Sequence, residues 1–338
     1  MLSSVKSYHN PIKLWLSSII FLIFSMIVVG GLTRLTDSGL SITEWELFSG
    51  ILPPFTQNSW ISYFELYKKT PQYKFVFSDM SLDEFKIIFY WEYAHRLLGR
   101  VIGLVYLLPL VYFTYKKVLN KASLSILYTI FTLIIFQGLL GWYMVTSGLV
   151  NDVTVSHYRL SLHLLFAFLI LSMVFWCFLN HSTRTNKSFF NLKAIQLKLF
   201  FLVILLQIII GAFVSGLDAG LIYQTWPKMN SSFFPDDINL NNFNFFISLN
   251  EQSFVQFLHR NIAYIILIFS VFIGVDIYLN KNKKGFRIFM LVTGILLTQI
   301  SLGIFTLISG LNITLASLHQ ITSVLLVFSV LYLNHKFS

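Results

Sequence analysis

Residues 91–113, WEYAHRLLGRVIGLVYLLPLVYF, open with a carboxylate, a histidine and two arginines, then run on as unbroken apolar sequence. Ionisable groups at the mouth of an apolar helix are costly to keep there, so Glu92, His95, Arg96 and Arg100 need a reason. The apolar part approaches the length that spans a bilayer, about 20 residues. Seven further windows read the same way, which places eight spans at roughly 13–32, 90–113, 124–144, 160–179, 199–216, 257–279, 288–308 and 316–334. The chain has 338 residues, 56% hydrophobic and 11% charged, with a mean hydropathy of +0.73. A soluble domain could not hide that much apolar surface. The expected fold class is an all-α integral membrane protein with eight transmembrane helices. The apolar stretch from Leu14 to Val29 is too long for a signal peptide and no small-residue cleavage site follows, so it reads as the first span.

The formal net charge of +10 is a topology signal. Lys6, Lys13, Lys116, Lys117, Lys121, Arg184, Lys187, Lys193, Lys198, Lys281, Lys283, Lys284, Arg287 and Lys336 fall on the tails or on the loops after spans 2, 4 and 6. These are 14 of the 24 basic residues, and of the acidic residues only Asp276 shares their side. An excess of Lys and Arg marks the cytoplasmic face, so both termini are expected in the cytoplasm. No nucleic-acid patch is implied. The single cysteine, Cys177, lies inside the fourth span, which rules out an intrachain disulfide or a thiolate metal site.

The chain repeats itself. VGGLTRLTDSGLSITEW from Val29 aligns without gaps to IGAFVSGLDAGLIYQTW from Ile210, pairing Gly30 with Gly211, Asp37 with Asp218 and Trp45 with Trp226. EYAHR ending at Arg96 matches VQFLHR ending at Arg260, QGLLGWYMVTSGL from Gln137 matches QISLGIFTLISGL from Gln299, and SLH recurs at 161–163 and 317–319. Four segments recur in one order, at offsets of 181, 164, 162 and 156. The expected organisation is therefore two four-helix bundles, residues 1–190 and 191–338. Four spans is an even number, so both enter the membrane in the same direction, related by a pseudo-twofold along its normal.

Of the eight histidines, His9, His181 and His335 read as solvated and His157 as interfacial. His95, His163, His259 and His319 belong to the repeat, each in the first turns of an even-numbered span. In an up-down bundle, the second and fourth helices face each other diagonally, so each unit can present two opposed imidazoles. Zinc wants three or four protein ligands. A di-iron site needs a second Glu-x-x-His, and Gln256 stands where the second glutamate should be. Two axial imidazoles suit a haem, whose porphyrin supplies the other four ligands. One bis-His haem per unit is the favoured reading.

Arg96, Arg100 and Arg260 suit haem propionates through bidentate hydrogen bonds, or snorkel to the interface. Gly99/Gly103, Gln137/Gly141, Gln207/Gly211 and Gln299/Gly303 read as helix-packing pairs. Asp37 and Asp218, each followed by glycine, read as turn residues.

Taken together, GGLTRLTDSGLSITEW, EYAHRLLGR, SLH, GLDAGLIYQTWPKMN, FLHRN and SLHQ resemble the haem A synthase family over nearly the whole chain. The resemblance implies an enzyme that oxidises the C8 methyl of haem O to a formyl group by successive hydroxylations, making haem A for cytochrome c oxidase. It implies haem ligation by His95, His163, His259 and His319, and a family acidic residue at Glu92. Some bacterial members carry a cysteine pair in the first outer loop, and this chain has none there. Only the first unit keeps a carboxylate on the face of its histidine. It is accordingly expected to bind haem O, with Glu92 catalytic, while the second holds a permanent haem b. The other reading of Glu92 is a salt bridge to Arg96 one turn on.

The expected setting is a bacterial inner membrane. Haem O, a haem O synthase, an unspecified electron acceptor, the lipid bilayer and further copies of the chain (as a homo-oligomer) are the partners implied. The competing classes are a dihaem b-type membrane electron carrier, such as a quinol oxidoreductase subunit, and a histidine-lined transporter. A transporter places its ionisable groups near the bilayer midplane, whereas these histidines fall near the outer edge.

Overall fold

In a computed structural model, residues 8–45, 49–150, 152–189, 194–238 and 244–338 are described. Lys6 and Lys193, two of the orienting cations, lie outside them. The helices are α1 (His9–Leu35), α2 (Gln57–Tyr67), α3 (Pro71–Phe75), α4 (Leu82–Tyr115), α5 (Lys121–Gly148), α6 (His157–Thr183), α7 (Ile195–Gly216), α8 (Phe245–Ser248), α9 (Gln252–Leu279), α10 (Lys283–Ile308) and α11 (Ile313–Phe337). Among the described residues, eight are long and apolar enough to cross a membrane: α1, α4, α5, α6, α7, α9, α10 and α11. The protein is an all-helical, multi-pass membrane protein. Apolar backbone in lipid must satisfy its own hydrogen bonds, and helices do so within one segment.

Where the helices start is written in their caps. The Ser81 hydroxyl accepts from Glu84 N–H while Glu84 reaches back to Ser81 N–H, a capping box that launches α4. Asn120, Asn282 and Asn312 cap α5, α10 and α11 in the same manner. Thr70 caps α3, with Pro71 at its first position. The capping box corrects one expectation. Glu92 is not at the helix mouth, because α4 begins ten residues earlier, at Leu82. Its 34 residues rise about 51 Å at ~1.5 Å each, well beyond a hydrocarbon core of about 30 Å. The loop after α1 is likewise not bare. α2 and α3 fold there, and Trp60, Phe64 and Tyr67 pack with Phe85, Ile88 and Phe89 of α4.

The chain divides into two compact units, Leu2–Leu171 and Ser172–Ser338, with the division inside α6. In the first, the Trp15 indole donates to Val105 O (3.0 Å), tying α1 to α4, and its ring meets Tyr106 at 5.3 Å. The Tyr106 hydroxyl in turn donates to Leu127 O of α5 (2.9 Å). In the second, Asn334 Nδ2 of α11 donates to Leu197 O of α7 (3.1 Å) and Gln196 donates to Asp276 of α9 (3.1 Å). Leu14, Phe21, Leu104 and Leu108 on the first unit, and Val271, Phe272 and Leu291 on the second, are more than half exposed. Such wide apolar faces need lipid as their solvent.

Two histidines depart from the sequence reading. His181 and His335 are buried, not solvated. The chain after α6 folds back so that Asn180 Oδ1 meets His335 Nε2 (3.0 Å), Lys187 Nζ donates to His335 O (2.6 Å) and Trp176 packs edge-on to its ring. A polar knot of this kind satisfies buried groups that would otherwise be costly. Asp37 and Asp218 both adopt left-handed backbone, φ 51°, as turn residues that tolerate this region do.

Tyr106 is fully buried and its hydroxyl bonds across the α4–α5 contact. Tyr106→Phe is expected to destabilise the protein by about 0.6–2 kcal/mol, read as a lowered midpoint of thermal unfolding in detergent.

Candidate functional site

In the first unit, α4 presents His95 and α6 presents His163, with ring centroids 6.5 Å apart and planes inclined at 46°. Two imidazoles on one iron, with bonds of about 2 Å and ring centres about 1.1–1.2 Å beyond each nitrogen, stand about 6.3 Å apart. The second unit repeats the arrangement: His259 of α9 and His319 of α11 are also 6.5 Å apart, inclined at 74°. Among the described residues, no group of three or more His, Cys, Asp or Glu side chains is placed to hold a bare ion. The donor set in each unit is two imidazoles. It fits an iron whose remaining ligands come from a macrocycle.

Each of the four histidines rests on a glycine of a neighbouring helix. A Cβ added at Gly30 would meet His95 Cε1 at 3.0 Å, and one at Gly141 would meet His163 Cε1 at 3.1 Å. The same holds for Gly211 against His259 (3.0 Å) and Gly303 against His319 (2.9 Å). These distances are below ordinary carbon contact, about 3.5–4.0 Å. The small residues therefore seat histidines, a narrower task than the helix packing expected of them. The repeat carried the signal, since all four glycines occupy matched positions.

Three of the seats include a glutamine one turn before the glycine. Gln137 Nε2 donates to His163 O (2.9 Å) and lies 3.2 Å from His163 Nδ1. Gln207 Nε2 donates to His259 O (2.9 Å) and lies 3.4 Å from the ring nitrogen Nε2. Gln299 accepts from His319 Nδ1 at its backbone oxygen (3.0 Å), and its amide nitrogen lies 3.4 Å from Nε2 of the ring. The last of these, a ring N–H held by a carbonyl, is the kind of contact that orients a ligand ring and sets its basicity.

Above the first pair sits a bracket. Glu92 is 3% exposed, and its carboxylate takes four hydrogen bonds. Oε2 accepts from the Ser41 hydroxyl (2.7 Å) and Ile42 N–H (2.8 Å), and Oε1 from Arg96 Nε (3.0 Å) and Nη2 (2.6 Å). Arg96 also donates to Ile42 O (2.7 Å) and Glu44 O (3.1 Å), and lies over the Trp45 ring at 5.4 Å. The pair thus pins segment 41–45 to α4. Arg100, one turn on, is partly buried.

The second unit builds the same bracket with an amide. Gln256 Nε2 donates to Tyr223 O (3.1 Å), its Oε1 accepts from Arg260 (3.3 Å), and Arg260 also donates to Tyr223 O (3.0 Å) and Lys228 O (3.2 Å). Arg260 lines a cavity of about 330 Å³ with Phe257, Asn261 and Tyr264 of α9 and Pro227, Phe233 and Phe234 of the loop. Ser41, Ile42 and Tyr223 were not singled out in the sequence. Their roles come from loops that fold back onto a helix, which no periodicity announces.

The profile of the COX15-CtaA family, described as cytochrome oxidase assembly protein, matches residues 13–331. The chain belongs to that family. It is 50% identical over 335 residues to a heme A synthase of Pelagibacter ubique, covering 97% of this chain and 98% of the relative. To the heme A synthase of Flavobacterium psychrophilum it is 40% identical, covering 98% and 99%. To that of Rickettsia bellii it is 41% identical, covering 94% and 96%. A family match that runs through both units takes in all four seated histidines, both brackets and every glycine seat.

The seats make a test within one helix. Gly303→Ala pushes a methyl into His319, whereas Gly294→Ala in the same helix meets nothing within 4 Å. The first is expected to lower the haem retained per polypeptide after purification, read from the pigment spectrum, and the second to leave it unchanged.

Proposed function

We propose that this chain is a haem A synthase. The reaction is the oxidation of the C8 methyl of haem O to a formyl group by successive hydroxylations, yielding haem A. The observation that carries the reading is the duplicated pair of glycine-seated imidazoles, 6.5 Å apart in each unit, in a chain aligned end to end with relatives named for this synthesis. The substrate, haem O, is assigned to the first pair, with His95 and His163 holding its iron. His259 and His319 hold a resident haem b. That haem supplies a one-electron route away from the site, towards an acceptor outside this chain.

The residues around the first pair have separable tasks. The Glu92–Arg96 bracket closes segment 41–45 over the histidine end of α4. Trp45 extends that cover by lying against the Arg96 guanidinium. Such a cover excludes water from the reacting face. Arg100 and Arg260 are assigned to the propionate edge of their haems, where planar guanidinium recognises carboxylate.

Glu92 is assigned the catalytic role, as a fixed negative charge beside the oxidised carbon. Taking a proton at Oε2 would first displace the Ser41 hydroxyl or the Ile42 amide, so the bonding favours charge stabilisation over general-base work. The duplication favours it too, since Gln256 keeps the bracket without the charge.

In the cell, the reading places the protein in a bacterial inner membrane with both termini in the cytoplasm. It is fed by a haem O synthase, and residues 1–190 and 191–338 serve as substrate and electron-transfer halves.

Gln256 makes Glu92→Gln an interpretable variant, because an amide at the matched place still ties its loop to the helix, through Tyr223 O and Arg260. It is expected to fold and retain haem while conversion of haem O falls about 10²–10³-fold, the usual effect of removing one transition-state electrostatic contact. Pigment extraction after co-expression with a haem O source reads this out, and normal haem A yield would refute the assigned role. His259→Ala or His319→Ala is expected to remove the b-type spectrum from purified protein. A bis-His b-type spectrum that survived in either variant would reverse the assignment of halves.

A further inference from the structure

The first turns of α9 carry a cavity on the face away from His259. Phe257, Asn261 and Tyr264 are spaced four and three residues apart, and Ile268, Val271 and Val275 continue the same row. That spacing keeps one helical face, and the latter three residues are more than half exposed. Tyr264 lies about 140° round the helix from His259. The buried Ile266, Ser270, Ile273 and Ile277 all fall within about 40° of His259 instead. The row therefore fronts lipid, with the cavity of about 330 Å³ at its head. Loop 227–234 covers it: Met229 N–H donates to Ser232 O (2.7 Å), closing a turn, and the Phe234 ring meets Phe257 edge-on at 5.1 Å.

Arg260, which also lines the cavity, sets its chemistry. Nη1 donates to Lys228 O, and Nη2 donates to both Tyr223 O and Gln256 Oε1. Nη2 then has no N–H left. Both forks of a guanidinium use that nitrogen, so a phosphate or carboxylate cannot be gripped here by two parallel bonds. Nε–H remains, buried and without a partner, which is costly until an acceptor arrives. Among the described residues the Tyr264 hydroxyl has no hydrogen bond either. Two single donors among the rings of Phe233, Phe234, Phe257 and Tyr264 suit a flat, uncharged ring that carries carbonyl oxygens. The first unit has Leu97 and Arg100 where this one has Asn261 and Tyr264.

We propose that this cavity binds the head of a lipid-soluble quinone. Arg260 Nε–H and the Tyr264 hydroxyl donate to its carbonyl oxygens, and its prenyl tail lies along Ile268, Val271 and Val275. This rests on the reading that His259 and His319 hold a haem, and it names the class of acceptor that reading requires. Arg260 keeps its second Nη1 N–H for the propionate edge of that haem and so forms the wall between the two. Reduction of the quinone to a quinol takes two electrons, passed singly as the haem iron goes twice from ferrous to ferric. Two protons from the aqueous phase form the two O–H bonds.

Decylubiquinone, a short-tailed benzoquinone, is the probe, used on purified holoprotein in detergent. Titration calorimetry is expected to show one site per chain. Anaerobic mixing with the reduced protein should reoxidise the b-type spectrum at a rate that saturates with quinone. Asn261→Phe fills the cavity, and since Asn261 bonds only to Phe257 O within α9 (2.8 Å), no contact between helices is lost. It should abolish both signals and keep the b-type spectrum. Tyr264→Phe removes one hydrogen bond and should weaken binding about 2–10-fold. Binding unchanged in both variants overturns the proposal. So does displacement of the probe by an equal concentration of phosphatidylglycerol, the mark of a lipid headgroup site, or loss of the b-type spectrum in Tyr264→Phe, the mark of the haem's own pocket. The underlying reading fails separately: wild-type protein without a b-type haem that binds the probe, and loses it in Asn261→Phe, keeps the quinone site and removes its electron donor.

Discussion

The constraint on which the rest depends is the approach of an imidazole to a bare helix backbone. A glycine faces each of the four histidines so closely that a Cβ there would stand 2.9–3.1 Å from the ring, and two rings in each unit come to 6.5 Å. Helix packing in lipid lacks a hydrophobic driving force between helices, so close approach at small residues and a few interhelical hydrogen bonds carry the association. Here the same small residues also set the ligand geometry. Stability and function therefore draw on the same contacts, and the glycine seats cannot be altered without moving a ring.

Around that shared frame, a few matched positions set the two units' sites apart. Glu92 and Gln256 bracket the matched residues Ile42 and Tyr223, one as an anion accepting from a backbone N–H and one as an amide donating to a backbone carbonyl. Arg96 and Arg260 play one part in both. A duplicated scaffold lets chemistry in one copy be tuned by single side chains, while the other copy keeps the geometry. The carboxylate was legible in the sequence as the residue without a counterpart. So was its salt bridge to Arg96 one turn on; its use as a loop bracket, joined to Ser41 and Ile42, was not, because hydrogen bonds formed 50 residues apart leave no local pattern.

The membrane itself explains why so much of the architecture could be read early. Lipid demands long, internally bonded helices, and eight apolar windows announce them. The caps that mark where the helices begin, such as Ser81 with Glu84, are local too. Errors came where the chain leaves the bilayer. α4 starts well before its apolar run, the loop after α1 folds into α2 and α3, His181 is buried near the end of α6, and His335 is buried in a polar knot with Asn180 and Lys187. Water and lipid do not dictate those segments, and contacts between distant residues do.

The sequence by itself determined the eight spans, the duplication and the four histidines, because periodic apolarity and repeated motifs are properties of the chain. It also showed that only one copy carries a carboxylate. Only the tertiary structure decided that the rings in each unit stand 6.5 Å apart, that glycines seat them and that Glu92 is bound by four donors. Those facts depend on which helix faces meet. That is settled by packing among residues far apart in sequence, where a single methyl or a single amide decides the outcome.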